Sequence, residues 1–326
     1  MRPGHPRPLP RPVPDRLLPG PDGTTRSRRR RQPLRVGAPA RAGEAGVRVK
    51  PYAQGDPMTE VPDPLLTELH ELALEAARRA GALLRDGRPD DLAVARTKTS
   101  PIDVVTEMDI AAEKLITGFL AEHRPQDGLL GEEGAATPGT SGVRWVIDPL
   151  DGTVNYLYGL PTWGVSIAAE RNGETVVGVV EAPMRGETYH AVLGRGAYAG
   201  DRRLAARPSP ALDQALLGTG FAYVQTRRDH QADVARRVIP LVRDIRRGGS
   251  AALDLCDVAA GRLDAYYERG LNPWDLAAGA LIAREAGALT GGRPGEPESG
   301  ELTVAASPGL FAPLQELLEG LGAWHD

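Results

Sequence analysis

A chain of 326 residues has room for one large domain or two smaller ones, either with a sizeable core. Its net charge of -4 hides two unlike parts: residues 1–57 hold thirteen Lys or Arg, four acids and twelve of the 29 prolines, whereas residues 58–326 hold 26 bases and 39 acids. The acidic body disfavours nucleic-acid binding, and the lone Cys256 excludes an internal disulfide.

The first 57 residues lack apolar periodicity, and their Pro and Arg content predicts disorder. Arg28-Arg29-Arg30-Arg31 reads as a nucleic-acid or surface tail; a twin-arginine export signal is the other reading, but no apolar segment follows the run. Met58 offers an alternative start. Folding begins at Asp63-Pro64, an N-cap and first helical residue, with Leu65, Leu69, Leu72, Ala76, Ala80 and Leu83 on one face and Gly87 at the end. A short strand at 102–106 precedes a helix to about His123, with Ile110, Leu115, Ile116, Phe119 and Leu120 inward. Strands follow near 128–131 and 144–148. Segments 163–171 and 174–182 flank Asn172-Gly173, a type I′ hairpin signal, and another hairpin lies near 187–199. Beyond residue 210, strands near 215–220, 263–267 and 302–306 alternate with helices near 229–242, 250–261, 273–287 and 308–322. The fold class is thus mixed α/β, antiparallel over about 58–205 and α/β over about 206–326. No run is long enough to cross a membrane, so a soluble, cytoplasmic protein is expected.

Carboxylates at strand ends carry the chemistry. An apolar run delivers Asp148-Pro149-Leu150-Asp151-Gly152-Thr153, and Leu129-Leu130-Gly131-Glu132-Glu133 repeats the plan upstream. Oxygen ligands with no His or Cys beside them suit Mg²⁺, and a Gly-Thr turn opening a helix offers N–H groups to an anion. The sequence around Asp151 also looks like the aspartyl-nucleophile motif of haloacid-dehalogenase phosphatases, but Pro149 stands at the nucleophile position and cannot attack. Water activated by metal is the remaining nucleophile. Each segment has a plainer reading. Glu132 and Glu133 could form a solvated acidic loop. Asp109 completes a capping box with Thr106, and Asp275 sits in a first turn capped by Asn272 and Pro273. Gly194-Arg195-Gly196 is a turn, and Gly248-Gly249-Ser250 opens a helix. Cys256 reads as a packed thiol, and the six histidines lie outside every cluster.

Taken together, Lys98-Thr99-Ser100-Pro101-Ile102-Asp103-Val104-Val105-Thr106 with Asp109, Gly131-Glu132-Glu133, the 148–153 segment and Trp274-Asp275 resemble the inositol monophosphatase family, from about residue 63 to the C-terminus. The resemblance implies a layered α-β-α-β-α sandwich shared with fructose-1,6-bisphosphatase, a homodimer, and two or three Mg²⁺ per subunit. It implies Glu132, Asp148 and the Leu150 carbonyl as ligands of one metal, and Asp148, Asp151 and Asp275 as ligands of another. Asp109 and Thr153, supported by Thr106, would orient the water, with Glu132 beside them in catalysis. Gly152 and Thr153 would hold phosphate. Ala251, Glu268 and Asp275 would meet the rest of the substrate, a phosphorylated polyol. Val154 and Tyr158 depart from many relatives' Thr and His. Lithium sensitivity is implied as well. Histidinol phosphate, fructose bisphosphate and 3′-phosphoadenosine 5′-phosphate are alternative substrates, and binding within a transcription complex is an alternative of another class.

Overall fold

The computed structural model describes residues 63–325, so the Pro- and Arg-rich extension and the boundary at Met58 lie outside the described residues. Asp63 accepts the N–H of Leu65, and Pro64 begins α1 (Pro64–Asp86), closed at Gly87. Its buried stripe is Leu69, Ala73, Ala76, Ala77, Ala80 and Leu84, with Leu65, Leu72 and Leu83 on the flank of the core. The inward face is thus rotated from the expected one, because small alanines let the helix approach both a second helix and a sheet. The expected strand at 102–106 shrinks to β2 (Val104–Val105), paired with β1 (Arg96–Thr97). Asp103 accepts the N–H and hydroxyl of Thr99, which holds the intervening residues as a turn and leaves Ile102 exposed. In α2 (Glu107–His123) the inward stripe is Met108, Ala112, Ile116 and Leu120; Ile110, expected inside, faces outward.

Next come β3 (Gly128–Gly131), β4 (Ala136–Thr137), β5 (Val143–Asp151), the short helix α3 (Thr153–Leu157), β6 (Gly164–Arg171), β7 (Glu174–Ala182), β8 (Glu187–Val192), β9 (Ala197–Ala199) and β10 (Arg202–Arg203). They form a sheet of order β10-β9-β8-β7-β6-β5-β3-β4, antiparallel except between β3 and β5. Asn172 at φ 53° and Gly173 at φ 85° make the expected turn between β6 and β7.

The second half runs β11 (Leu216–Thr219), α4 (Gln225–Val238), β12 (Asp244–Arg246), α5 (Ala251–Ala259), β13 (Ala265–Glu268), α6 (Pro273–Glu285), β14 (Leu289–Gly291), β15 (Thr303–Ala306) and α7 (Pro308–Leu321). Its sheet has the order β12-β11-β13-β15-β14, with β12, β11 and β13 parallel and β15 antiparallel to both its neighbours.

Strand alternation stacks these pieces. Trp145, Ile147, Val165, Ile167, Val177 and Val179 point to α1 and α2, whereas Val146, Ala168, Val180 and Ala182 point to α5 and α6. On their other side α5 and α6 receive Tyr266 and Ala305 of the second sheet. The opposite face of that sheet, with Ala265, Tyr267, Val304 and Ala306, packs on α4 and α7. The result is a five-layer α-β-α-β-α sandwich, in which Cys256 is wholly buried as a packed thiol. Among the described residues no helix is long and apolar enough to cross a membrane.

Candidate active site

The ends of β3, β5 and β13 and the starts of α3, α5 and α6 meet at one cavity of about 400 Å³. Asp148 and Asp151 owe their common direction to a bulge. Asp148 pairs with Ser166 and Asp151 with Gly164, so three steps along β5 span two along β6. An odd spacing would send the two side chains to opposite faces; the extra residue restores the parity. Pro149 sits in the bulge, where its missing N–H costs no ladder bond. Glu132 follows β3, and Asp275 enters from the first turn of α6, where it accepts the backbone N–H of Asn272 at 2.6 Å. Glu132, Asp148, Asp151 and Asp275 all line the cavity, as do Leu150, Gly152, Thr153, Ala251 and Glu268.

Gly152 at φ 101° turns the chain from β5 into α3; a Cβ there would come within 2.9 Å of the Thr162 carbonyl. Because α3 has only five residues, its value to an anion lies in free N–H groups more than in a macrodipole. Thr153 Oγ1 lies 2.8 Å from Asp109 Oδ1 and 3.0 Å from the Leu150 carbonyl, two acceptors for one hydroxyl proton. Asp109 also accepts the Thr106 N–H at 2.8 Å and hydroxyl at 2.5 Å, so its capping role and its link to the site coexist. It is 1% exposed and stands behind Thr153, not on the cavity wall.

Electrostatics mark the carboxylates as a group under tension. Burial, then repulsion from Glu132, Asp151 and Asp275, holds Asp148 well above the carboxylate range, and it shares a hydrogen bond with Glu132. Asp275 is raised by burial and by Glu132 and Asp151. Asp151 is pushed to about 6 by burial, although the Ser250 hydroxyl and the Ala252 N–H, each at 2.7 Å, favour its charged form. Burial also raises Asp109 to about 6 and Glu268 to about 7; the Tyr266 hydroxyl donates to Glu268 at 2.5 Å.

An all-oxygen donor set carrying this much negative charge fits a hard divalent cation. Among the described residues no three His, Cys, Asp or Glu side chains are already drawn into a ligand cage. Lys98 instead bridges Glu132 at 2.8 Å and Glu133 at 2.5 Å.

The solvated-loop reading therefore fails for Glu133, whose side chain is 2% exposed between Lys98 and Arg96. Val154 and Tyr158 do not line the cavity, and Tyr158 is 77% exposed. The histidines are not all solitary: His70 Nε2 lies 3.0 Å from His190 Nδ1, away from the cavity. Sequence reasoning also passed over Tyr223, Arg227 and Arg247, which line the cavity. Only Arg247 had a usable signal, a base directly before the Gly248-Gly249-Ser250 turn. Asn155 was missed too; its amide donates to the carbonyls of Thr162 and Gly248 and ties α3 to that turn.

Comparison with known proteins agrees with the layered fold. The model of the inositol monophosphatase family matches residues 65–323. Inositol-1-monophosphatase SuhB of Mycobacterium tuberculosis is 45% identical over 282 residues, covering 80% of this chain and 95% of that protein. Nus factor SuhB of Pasteurella multocida is 46% identical over 222 residues, covering 67% and 82%. The crystal structure of extragenic suppressor protein suhB from Bartonella henselae superposes with a TM-score of 0.73 at 36% identity, covering 77% of this chain and 98% of that one.

Proposed function

The chain belongs to the inositol monophosphatase family, and from that premise we propose that it is a Mg²⁺-dependent phosphomonoesterase acting on myo-inositol 1-phosphate or a similar polyol phosphate. The observation that carries this reading is the convergence of Glu132, Asp148, Asp151 and Asp275 on one cavity beside the Gly152-Thr153 turn. These carboxylates and the Leu150 carbonyl would hold two or three Mg²⁺. Bound there, Mg²⁺ would supply acidified water and charge neutralisation for the phosphoryl group.

The protein's own groups do the rest. Thr153 donates to Asp109, which leaves the threonine oxygen free to accept a proton of a water on the cavity side. Asp109 thus positions Thr153, and Thr106 positions Asp109. The N–H groups of Gly152 and Thr153 face phosphate oxygens. Glu268 takes hydrogen bonds from substrate hydroxyls, with Ala251 alongside; the Ala251 N–H is partly engaged by Asp151. We assign catalysis to residues 58–326 and the working form to a soluble homodimer. The similarity to a Nus factor favours a second reading, association with a transcription complex.

A side-by-side panel of myo-inositol 1-phosphate, histidinol phosphate and 3′-phosphoadenosine 5′-phosphate with purified protein and Mg²⁺ tests the first reading. The inositol ester is expected to show the highest kcat/KM. Hydrolysis of none of the esters would overturn it. A pull-down of elongation factors addresses the second.

A further inference from the structure

Glu113 is a buried carboxylate that none of the chemistry above uses. It lies on α2, one turn after Asp109 and on the same inward face. Its side chain is directed at the four-residue turn 132–135 that joins β3 to β4. Glu113 Oε2 accepts the Glu133 N–H at 2.8 Å, and Oε1 accepts the Ala135 N–H at 3.0 Å. Main-chain donors of one turn that converge on one carboxylate are the means by which loops hold anions, and here the chain itself supplies the anion. A carboxylate that is only 7% exposed is costly to bury, and its charge-assisted bonds to the turn offset that cost.

The turn is built around this carboxylate. A Cβ on Gly131 would overlap Glu113 Oε2 and stand 2.8 Å from its Cδ, so the residue before Glu132 has no room for a side chain. Gly134 takes φ 124°, a backbone state open to glycine, and the Gly131 N–H closes the turn on the Ala135 carbonyl at 2.6 Å. On the other side, the Glu132 N–H reaches the carbonyl of Ile147, the residue before Asp148, at 3.1 Å. Glu132 is therefore held from β5 at its own N–H and from α2 at the N–H of the next residue, and it lies on the cavity wall where it shares a hydrogen bond with Asp148. One turn earlier on the same helix, Asp109 holds Thr153.

We propose that Glu113 is a positioning residue for the metal ligand Glu132: it fixes the 132–135 turn so that the Glu132 carboxylate meets Asp148 at the cavity. Through Glu113 and Asp109, α2 then sets the spacing between the metal side of the site and the Thr153 side. The proposal rests on the phosphatase reading above. Glu113 does not line the cavity and acts through the turn. A ligand held in place before the cation arrives loses less conformational freedom on binding, and partners that hold metal ligands typically contribute about ten- to hundredfold in affinity.

The test uses the full chain and measures Mn²⁺ binding by calorimetry, together with the Mg²⁺ dependence of myo-inositol 1-phosphate hydrolysis. Mn²⁺ shares the preference of Mg²⁺ for oxygen ligands. Glu113→Gln keeps the shape and one acceptor oxygen, whereas Glu113→Ala removes both acceptors. Glu113→Gln is expected to raise the Mn²⁺ Kd and the Mg²⁺ concentration for half-maximal rate by about tenfold, and Glu113→Ala by more. At saturating Mg²⁺, kcat of the Gln variant should return close to that of the parent. Gly131→Ala, which presses on the same carboxylate from the turn, should also weaken Mn²⁺ binding. Combined with Glu113→Gln, its effect should be smaller than the product of the two single effects. Ile116→Val, which loosens the core beneath α2, should leave the Mn²⁺ Kd unchanged. A Kd unmoved in both Glu113 variants, or raised equally by Ile116→Val, would overturn the proposal. A parent that binds Mn²⁺ but hydrolyses no phosphate ester would overturn the phosphatase reading, and the Kd values would still decide the role of Glu113. A parent that binds no Mn²⁺ would overturn both.

Discussion

Asp275→Asn separates the helix cap seen at Asp275 from the metal-ligand role proposed for it. Its carboxylate accepts the Asn272 N–H at 2.6 Å, closing the capping box at the start of α6, and it faces Glu132, Asp151 and Glu268 across the cavity. Asparagine keeps the shape and an acceptor oxygen, so the substitution removes charge more than it removes the cap. Loss of the charge–dipole term at a helix start costs about 0.3–1 kcal/mol. Relief of burial and of repulsion among the carboxylates acts the other way, and a buried, unpaired charge costs several kcal/mol on general grounds. The metal-free variant should therefore melt at or above the parent. Mg²⁺ at about 100 times its Kd stabilises the parent by about 2.7 kcal/mol, and a tenfold weaker site leaves about 1.4 kcal/mol. At roughly 2–4 °C per kcal/mol, the Mg²⁺-induced rise in Tm should fall by about half. Turnover should drop by about two orders of magnitude or more as charge stabilisation is lost. The assay is a melting series with and without Mg²⁺, paired with kcat. A variant that melts lower without metal yet turns over normally would make Asp275 a helix cap and remove it from the ligand set.

Other outcomes follow from the same geometry. Glu268→Gln should raise KM for the inositol ester while sparing a featureless aryl phosphate. Because burial lifts Glu268 to about 7, the parent KM should rise as pH falls below that value, whereas a flat profile in both proteins would refute the contact. Asp109→Asn, which disturbs the proton acceptor behind Thr153, should lower kcat by about 10²–10⁴ with little change in KM. His70 is held down to about 4, chiefly by burial and then by His190, Arg195 and Arg78. Between about 6.5 and 4 the unfolded chain binds more protons than the folded one, so stability should fall as pH drops through that window and level off below it. Discounted for partial exposure, the loss is about 1–2 kcal/mol, read as a shift in urea midpoint that His70→Asn should abolish. A shortened chain starting at Met58 should keep the parent Tm and kcat/KM; a large loss of either would show that the extension packs on the body.

What local sequence determined was every feature whose physics acts within a few residues. The Asp63-Pro64 start, the Asn172-Gly173 turn, both capping boxes and the two strands that end in carboxylates are set by caps, positive φ and apolar runs. Read in order, those short motifs also carried the family resemblance, and with it the layered fold. Tertiary structure decided what depends on long-range contact. The inward faces of α1 and α2 were set by the sheet they pack on, which turned Ile110 outward and buried Ala73 and Ala77. Short strands such as β12 and β14 owe their existence to neighbouring strands more than to their own pattern. The bulge that aims Asp148 and Asp151 together is visible only against β6. Whether a charge has a partner is likewise a property of the folded chain: Lys98 and Glu133 lie 35 residues apart yet neutralise one another. Arg227 and Arg247, no different in sequence from other surface arginines, end on the wall of the carboxylate cavity, because the loop after β11 and the turn before α5 meet there.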